Sequence, residues 1–315
     1  MSACLGFDTS NYTTSVALCN IKTDQVIQRK RLLPVPKGRK GLRQSDAVYL
    51  HLKQLPDLVE KLLQEAGDIS VNAVGVSVRP RDAEGSYMPC FEAGHCTARA
   101  TAAALDVPAF VFSHQAGHIA AALFSAGHLD WLHERFAAFH LSGGTTEVVL
   151  CQPNPAGFNV SLLFSSLDLK AGQAVDRVGL LLGLPFPAGP AMEKCAEQSN
   201  RNFTIRPSMK YGNCSLSGIE NHCMDMHARG EADCDIAKYC IMSISAALEG
   251  MTMAVLDRFP QIPLLYAGGV MENNFIREYF ISKYDAVFAQ HGFSSDNAAG
   301  IAVLAALREE EENER

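Results

Sequence analysis

The sequence predicts an α/β protein made of two lobes that share one order of elements, β-β-β-α-β-α. Residues 13–19 read TTSVALC and residues 145–151 read TTEVVLC, so five of the seven positions are identical. Each copy follows a short apolar strand and a small polar turn, TSNY in the first half and SGG in the second. Because both copies fall at the same point of matching supersecondary units, we predict a duplicated architecture with lobes at residues 1–130 and 131–315.

In the first half, apolar runs and periodicity predict the elements in order. Strands are expected near 3–8, 13–19 and 25–33, and again at 72–78 and 108–112. Helices are expected at 46–66, where apolar residues recur every three or four positions despite Pro56, and at 91–105 and 114–126. A loop rich in proline, glycine and aspartate separates the fourth strand from the second helix.

The second half restarts the same order at residue 136. Strands are expected at 136–141, 145–151 and 158–164, then at 263–269 and 286–290. Helices are expected at 170–182, 235–258, 272–282 and 297–311. The stretch 198–233 has no strong periodicity and is interpreted as a polar insertion.

Composition limits the classes of function. The chain has 315 residues, of which 48% are hydrophobic, enough for two packed cores. Its net charge of −7 argues against general coating of nucleic acid. A local cluster of seven Lys and Arg residues at 29–43 (RKRLLPVPKGRKGLR) is either a phosphate-binding patch or a solvated loop.

The cysteines indicate a reducing compartment. There are ten, they are scattered, and no two have the C-x-x-C spacing of zinc knuckles or redox motifs. No segment approaches 18 uninterrupted apolar residues, so no membrane association is expected. We therefore predict a soluble, cytoplasmic protein.

The polar turns are candidates for binding phosphate. In SGGTT the glycines let backbone N–H groups approach an anion, whereas DTSNYTT lacks glycine and suits the role less well. If the lobes face each other, the two turns would grip one phosphate chain between them. The alternative is that both are ordinary tight hairpins.

The segment HQAGH is a candidate metal site. It places His114 and His118 four residues apart, on one face of a helix. A carboxylate is the expected third ligand, and Asp296 in FSSDNAAG is the candidate. The alternative is a pair of structural histidines.

Two further segments are candidates for nucleotide contacts. AGGVMENN ends a buried strand at Gly268 and Gly269, and Asn273 is placed to contact a ribose or a base edge. The glycines could equally serve only a tight turn. AVDRVGLLLGLPFPAGP places Asp176 on a helix and ends in a Pro/Gly loop at Gly189, although an isolated helix aspartate is commonly just solvated.

Taken together, the motifs GFDTSNYTTSVAL, HQAGH, LSGGTTEVV, AGQAVDRVGLLLGLPFPAGP, SLSGIEN, AGGVMENN and SSDNAAGIA resemble the TsaD/Gcp family in content and order. That family was once called O-sialoglycoprotein endopeptidase and is now known for tRNA threonylcarbamoyladenosine synthesis. The resemblance implies an actin-like ATPase fold with a nucleotide cleft between two duplicated lobes. It also implies transfer of a threonylcarbamoyl group from threonylcarbamoyl-AMP to adenosine 37 of tRNA.

The resemblance further implies site residues and partners. One Fe²⁺ or Zn²⁺ would be held by His114, His118 and Asp296. ATP or threonylcarbamoyl-AMP would be bound by Ser142, Gly143, Gly144, Thr145, Asp176, Gly189, Gly268, Gly269 and Asn273. Expected partners are tRNA, a paralogous TsaB-like subunit and a TsaE-like ATPase.

The chain departs from the family pattern at several positions, which indicates a divergent paralogue. Acidic residues of the first turn are replaced by Tyr12 and Thr13, and a basic residue by Glu220. The family's GPGLxGxLxVG loop is replaced by RPRDAEGSYMPCFEAG, and further differences occur at Ala116, Thr145 and Gln173. Such a paralogue could move a related carbamoyl-type group, use another acceptor, or act as a non-catalytic subunit that keeps nucleotide and metal.

Two other functions are less well supported by the residues. A zinc peptidase of the H-E-x-x-H type needs a glutamate between its histidines, and HQAGH has none. A sugar or acetate kinase would need Mg²⁺ held by carboxylates rather than by imidazoles.

Overall fold

A computed structural model describes residues 2–10, 12–34, 42–154, 157–293 and 298–314 of the chain. The chain forms two compact units. The first contains Met1–Leu129, Asn154–Asn159 and Ser295–Arg315, and the second contains Asp130–Pro153 and Val160–Ser294.

The elements follow the predicted order closely. The strands are β1 (Ser2–Ser10), β2 (Thr13–Asn20), β3 (Gln25–Leu32), β4 (Ser70–Arg79), β5 (Ala109–Ser113), β6 (Phe136–Leu141), β7 (Thr146–Asn154), β8 (Gly157–Ser165), β9 (Ser208–Lys210), β10 (Asn213–Ser215), β11 (Leu264–Ala267) and β12 (Val287–Phe288). The α-helices are α1 (Gln44–Ala66), α2 (Phe91–Leu105), α3 (His114–Ala126), α4 (Ala171–Leu181), α5 (Gly189–Ala196), α6 (Ser217–Ala228), α7 (Asp233–Arg258), α8 (Asn274–Tyr284) and α9 (Ala299–Asn313).

The first unit is a five-stranded sheet with helices on both faces. Its strand order is β3-β2-β1-β4-β5, with β2 antiparallel to both β1 and β3, and β4 parallel to both β1 and β5. Leu5 and Phe7 of β1 pack with apolar residues of α1 and α2 in one buried cluster. Gly6 points to the opposite face, where a Cβ would lie 2.6 Å from the backbone nitrogen of Ala302 in α9. The alternation of β1 therefore separates the two helical layers.

The last helix corrects the predicted lobe boundary. The prediction assigned residues 131–315 to the second lobe, but 295–315 belong to the first unit. The reason is close backbone packing, because a Cβ on Gly75 of β4 would lie 2.8 Å from the carbonyl oxygen of Ile301. Helix α9 also packs against α3, where a Cβ on Gly300 would collide with the carbonyl oxygen of Gly117.

The second unit repeats the sheet plan. Its strand order is β12-β11-β6-β7-β8, with β6 antiparallel to β7 and parallel to β11. The core centres on Tyr266 of β11, whose ring stacks on Phe139 of β6 at 4.3 Å between centroids. The Tyr266 hydroxyl lies 2.8 Å from that of Thr252 in α7. The duplicated order of strands and helices is thus present in both units.

The stretch 198–233 is more structured than the polar insertion predicted for it. It contains the β9–β10 hairpin and α6, and α5 directly precedes it. Each strand of the hairpin has only three residues, too few for a period-two pattern to register. Helix α6 buries Ile219, Cys223 and Met226, a stripe too sparse to distinguish it from a loop.

Helix α7 is the one described helix long and apolar enough to cross a membrane by length and composition. Half of its most apolar window is buried inside the unit. Its buried residues, among them Ile236, Ile244 and Met251, belong to the second core. We therefore interpret α7 as a core helix.

Candidate metal and nucleotide sites

The predicted histidine pair lies at the start of α3. Ser113 caps this helix, accepting a hydrogen bond from the backbone nitrogen of Ala116 at 3.1 Å, so His114 is its first residue. One turn later, the Nε2 atom of His118 lies 2.9 Å from Nε2 of His114. The two ring nitrogens therefore face each other at hydrogen-bond distance, and both lie close enough to serve one metal ion.

A buried carboxylate orients the first imidazole. Asp8 of β1 has no solvent-exposed surface, and its Oδ1 lies 3.0 Å from Nδ1 of His114. Ser10 donates to Oδ2 of Asp8 at 2.8 Å, and Ser77 of β4 donates to Oδ1. With its Nδ1–H donated to Asp8, His114 presents the lone pair of Nε2 toward His118. Metal-binding histidines are commonly held by a carboxylate in this way.

The described residues fit two positions of a metal site. Nitrogen ligands bind Zn²⁺ at about 2.0–2.1 Å, so two ligands of a tetrahedral site lie about 3.3 Å apart. The Nε2 atoms of His114 and His118 are 2.9 Å apart, so a bound Zn²⁺ would require the two rings to separate by about 0.4 Å. Asp296, the predicted third ligand, lies outside the described residues. Across the described part of the chain, no three His, Cys, Asp or Glu side chains form a metal-binding group.

The loop that departs from the family pattern is fastened to the start of α3. Arg79 donates from Nε and Nη2 to Oδ1 of Asp82, at 3.0 and 2.7 Å. The Ser113 hydroxyl donates to Oδ2 of the same carboxylate at 2.7 Å. Asp82 therefore connects the end of β4 to the cap of the helix that begins with His114.

The first polar turn places its threonines in the interior. The Thr9 hydroxyl donates to the carbonyl oxygen of Cys90 at 3.0 Å and accepts from the backbone nitrogen of Gly94 at 3.1 Å. The Thr14 hydroxyl lies 2.8 Å from Nδ1 of His51 in α1. Both threonines are fully buried, so these two hydroxyls fix helices to the sheet rather than facing a phosphate.

His51 is a buried imidazole that sequence reasoning missed. Burial lowers its pKa from 6.5 to about 4, and the charge of Asp8 counteracts part of that shift. Its Nε2 atom has no hydrogen-bond partner among the described residues. Its sequence signal is its place, with Gln54, among the apolar residues of the buried face of α1.

In the second unit, the SGG turn follows β6. The Ser142 hydroxyl accepts from the backbone nitrogens of Gly144 and Thr145, at 3.3 and 3.1 Å. Gly143 and Gly144 are exposed, and a Cβ on either would meet open space. The turn therefore presents bare backbone, with two of its N–H groups directed at its own serine.

Two other glycines allow segments to approach this turn closely. A Cβ on Gly172, in the first turn of α4, would lie 2.6 Å from the nitrogen of Gly143. Gly268 has φ of +101°, and a Cβ there would lie 2.2 Å from the carbonyl oxygen of Leu141. The SGG turn, the start of α4 and the Gly268–Gly269 turn thus meet at the carboxyl ends of β6 and β11. This edge is where doubly wound sheets bind ligands.

The remaining predicted nucleotide residues have structural partners. Oδ1 of Asp176 accepts from the backbone nitrogen of Ala188 at 2.8 Å, which holds the loop that leads into α5 at Gly189. Asn273 caps α8, its Oδ1 accepting from the nitrogen of Ile276 at 3.2 Å. Its Nδ2 is therefore the atom left for a ligand. Gly269 is exposed and open.

Asp168 is a second residue that the sequence reasoning missed. Partial burial opposes its ionisation, but hydrogen bonds from Ser217, Leu216 and Leu169 hold its pKa below the ordinary value. Its carboxylate accepts from the nitrogen of Leu216 at 2.7 Å and from the Ser217 hydroxyl at 2.6 Å. Asp168 therefore caps α6, which lacks a capping side chain of its own.

Glu220, which stands where the family pattern has a basic residue, forms an ion pair with a neighbouring helix. Its carboxylate accepts from Nη1 of Arg177 in α4 at 2.8 Å. The basic cluster at 29–43 is also partly neutralised, because Arg29 pairs with Glu65 and Arg31 with Asp57. Its central residues, 35–41, lie outside the described part of the chain.

Solved structures with the same architecture define the fold class. Component A of (R)-2-hydroxyglutaryl-CoA dehydratase from Acidaminococcus fermentans matches with a TM-score of 0.56 and 13% identity, covering 98% of this chain and 100% of that one. HypF from T. kodakarensis matches with a TM-score of 0.56 and 12% identity, covering 99% of this chain and 48% of that one. The protein has the actin-like ATPase fold, as predicted.

Sequence comparison is more specific. The model of the TsaD family, described as tRNA N6-adenosine threonylcarbamoyltransferase, matches residues 35–303. The enzyme of that name from Thermus thermophilus is 32% identical over 317 residues, covering 96% of this chain and 91% of the relative. The one from Pyrobaculum calidifontis is 27% identical over 311 residues, covering 95% and 86%. This chain belongs to the TsaD family of transferases.

Proposed function

We propose that this chain transfers a threonylcarbamoyl group to N6 of an adenosine in tRNA, using a metal ion held by His114, His118 and Asp296. The observation that carries the proposal is the Asp8–His114–His118 arrangement in a chain of the TsaD family. The fully buried carboxylate behind the first ring supports a metal ligand, because metal-binding histidines commonly donate their second ring N–H to such a group.

The residues of the first unit have separate tasks in this proposal. Asp8 fixes the tautomer of His114, and Ser10 and Ser77 hold Asp8 by hydrogen bonds to its carboxylate. Asp82 fixes the start of α3 through Ser113. A bound Fe²⁺ or Zn²⁺ would supply Lewis acidity to the carbonyl of the acyl group.

The second unit would bind the nucleotide portion of the donor. The bare backbone at Gly143, Gly144 and Gly269 leaves room for phosphate oxygens. Asn273 offers its Nδ2, and Asp176 braces the loop before Gly189. The glycines at 172 and 268 let these segments meet without side chains between them, which supports a ligand-binding edge.

The reaction balances without an oxidant or a reductant. The adenosine amine forms a bond to the carbonyl carbon of threonylcarbamoyl-AMP. The bond from that carbon to the phosphate oxygen breaks, AMP leaves with its electron pair, and N6 loses a proton to water. Production of threonylcarbamoyl-AMP would precede this step, and a TsaB-like subunit and a TsaE-like ATPase are the proposed partners.

The test combines metal analysis with an activity assay. The protein is purified without added metal and its bound metals are measured. Modification of an unmodified tRNA from threonylcarbamoyl-AMP is then followed for wild type, His114→Ala and the control His133→Ala, with partner subunits supplied. About one Fe²⁺ or Zn²⁺ per chain, with activity and metal lost only in His114→Ala, supports the proposal. An active His114→Ala variant, or a protein that binds no metal, refutes it.

The same assay decides the alternative of a non-catalytic partner subunit. The replacement of the family's acidic turn residues by Tyr12 and Thr13 favours that alternative, and Thr13 is buried. Metal and nucleotide binding without transfer to tRNA, in the presence of partners, would assign that role.

A further inference from the structure

The β9–β10 hairpin presents a strained and exposed aromatic side chain. Tyr211 is 89% exposed and adopts φ of 51°, and the next residue, Gly212, adopts φ of 82°. This is the left-handed pair of a two-residue hairpin turn, where Asn-Gly is the preferred sequence. Tyrosine at the first position costs conformational energy that asparagine would largely avoid. The ring does not pack in the core, so its flat faces are accessible to an external group.

The turn is held rigidly in this strained state. A Cβ on Gly212 would lie 2.2 Å from a ring carbon of Phe164, so the turn rests on β8. Oδ1 of Asn213 accepts from the nitrogen of Ser165 at 2.8 Å, and its Nδ2 donates to the carbonyl oxygen of Lys210 at 3.4 Å. Tyr211 is thus an aromatic ring on a fixed support, which loses little conformational entropy when a flat group stacks on it.

The segment that contains the hairpin has a charge of opposite sign to that of the whole chain. Residues 198–216 contain no Asp or Glu, although the protein has 34 of them and a net charge of −7. Arg206 and Lys210 are exposed, and neither forms an ion pair within the described ranges of the chain. From 202 to 210, exposed polar residues alternate with half-buried apolar ones, and both cations fall on exposed positions.

We propose that Arg206, Lys210 and Tyr211 form an RNA-binding surface. This surface would hold unpaired nucleotides of the tRNA that accepts the threonylcarbamoyl group. Unpaired bases stack on exposed aromatic rings, and cations beside them contact the phosphates. The hairpin adjoins the candidate nucleotide site through two backbone hydrogen bonds. Leu167 donates to the carbonyl oxygen of Cys214 in β10, and the preceding residue, Ser166, donates to the carbonyl oxygen of Thr146, which directly follows the SGG turn and Thr145. The proposal rests on the proposed function, which makes tRNA the acceptor.

The first experiment separates stacking from stability. Tyr211→Asn removes the ring but suits the left-handed turn, so thermal unfolding is expected to occur about 1–3 °C higher. Affinity for an unmodified tRNA is expected to fall about tenfold, the size of one lost stacking contact. Tyr211→Phe keeps the ring and is expected to bind tRNA like wild type.

The second experiment tests the cations through salt. Replacing Arg206 and Lys210 with glutamine is expected to reduce the slope of log affinity against log salt by about 1.4, or 0.7 for each phosphate contact with single-stranded RNA. The matched control is the double replacement of Lys22 and Arg99 by glutamine, two exposed positions of the first unit outside the 29–43 cluster, which is expected to leave the slope unchanged.

The outcomes separate this surface from the proposed function. If Tyr211→Asn binds tRNA with the affinity of wild type, and the Arg206 and Lys210 double variant has the salt slope of wild type, the RNA-binding surface is overturned. The transferase proposal would still stand. Donor binding without any tRNA binding would overturn both the acceptor and the surface. Loss of a protein partner in Tyr211→Asn, with tRNA binding intact, would assign the hairpin to that partner and overturn the RNA assignment.

Discussion

The buried imidazole of His51 is expected to make the stability of the first unit depend on pH. The pKa of His51 in the folded protein is about 4, against 6.5 for a free histidine. As pH falls, the unfolded chain therefore binds the proton first. The stabilisation that comes from keeping His51 neutral is therefore fully present in the free energy of unfolding above pH 6.5, and it is lost as pH falls from 6.5 to 4.

The magnitude follows from these two pKa values. Between pH 8 and pH 5, proton binding by the unfolded chain lowers the free energy of unfolding by about 2 kcal/mol. Below pH 4 the full effect is about 3 kcal/mol. This is a large share of the stability of an ordinary domain, so it is measurable above other pH effects.

The assay is hydrogen exchange of α1 and β2 peptides at pH 8 and pH 5, corrected for intrinsic exchange rates. His51→Asn places an amide near the Thr14 hydroxyl and cannot titrate, so its loss of protection between these pH values is expected to be smaller by about 2 kcal/mol. His227→Asn, an exposed position on α6, is the control and is expected to behave like wild type. Parallel losses in wild type and His51→Asn would refute the assignment of the pH dependence to this imidazole.

Three other perturbations have expected outcomes. Asp8→Asn should weaken metal binding by about 10–100-fold in a chelator competition, and unchanged affinity would show that Asp8 does not orient His114. Gly268→Ala should cost about 3 kcal/mol of stability, because its Cβ would meet the Leu141 carbonyl, whereas Gly269→Ala should change it by less than about 0.5 kcal/mol; equal melting temperatures would contradict the packing. Asp168→Asn should lower the free energy of unfolding by about 1 kcal/mol at pH 7. In urea titrations the difference between wild type and variant should decrease below pH 4, where Asp168 is protonated, and a difference that stays constant would exclude a role for the charge.

Sequence reasoning placed most strands and helices within about two residues, because their apolar periodicity and their Gly and Pro boundaries are strong. It also placed His114 and His118 side by side on one face of a helix, since an i, i+4 spacing fixes their common face. The hydrogen bonds that hold these histidines in place were not predicted. Asp8 was placed in DTSNYTT, a turn considered either for phosphate or as an ordinary hairpin, although a charged residue inside the apolar run CLGFDTS is a sign of a buried partner.

What escaped prediction depends on long-range contacts. The place of α9 in the first unit follows from glycines 6, 75 and 300, which lie far apart in the chain and have no shared local pattern. Asp168 caps a helix that starts 49 residues later, so no local sequence pattern predicts this cap. The role of Asp296 stays a prediction, because the residue lies outside the described ranges.

The position of α9 also constrains the order in which the protein can be completed during synthesis. The helix covers the glycine-lined face of the first sheet and touches the backbone of α3 at Gly117. Residues 130–294, which form nearly all of the second unit, are translated before it. The helix that carries both histidines therefore gains its last packing partner only after the second unit has left the ribosome. Until then the nascent chain exposes an apolar sheet face.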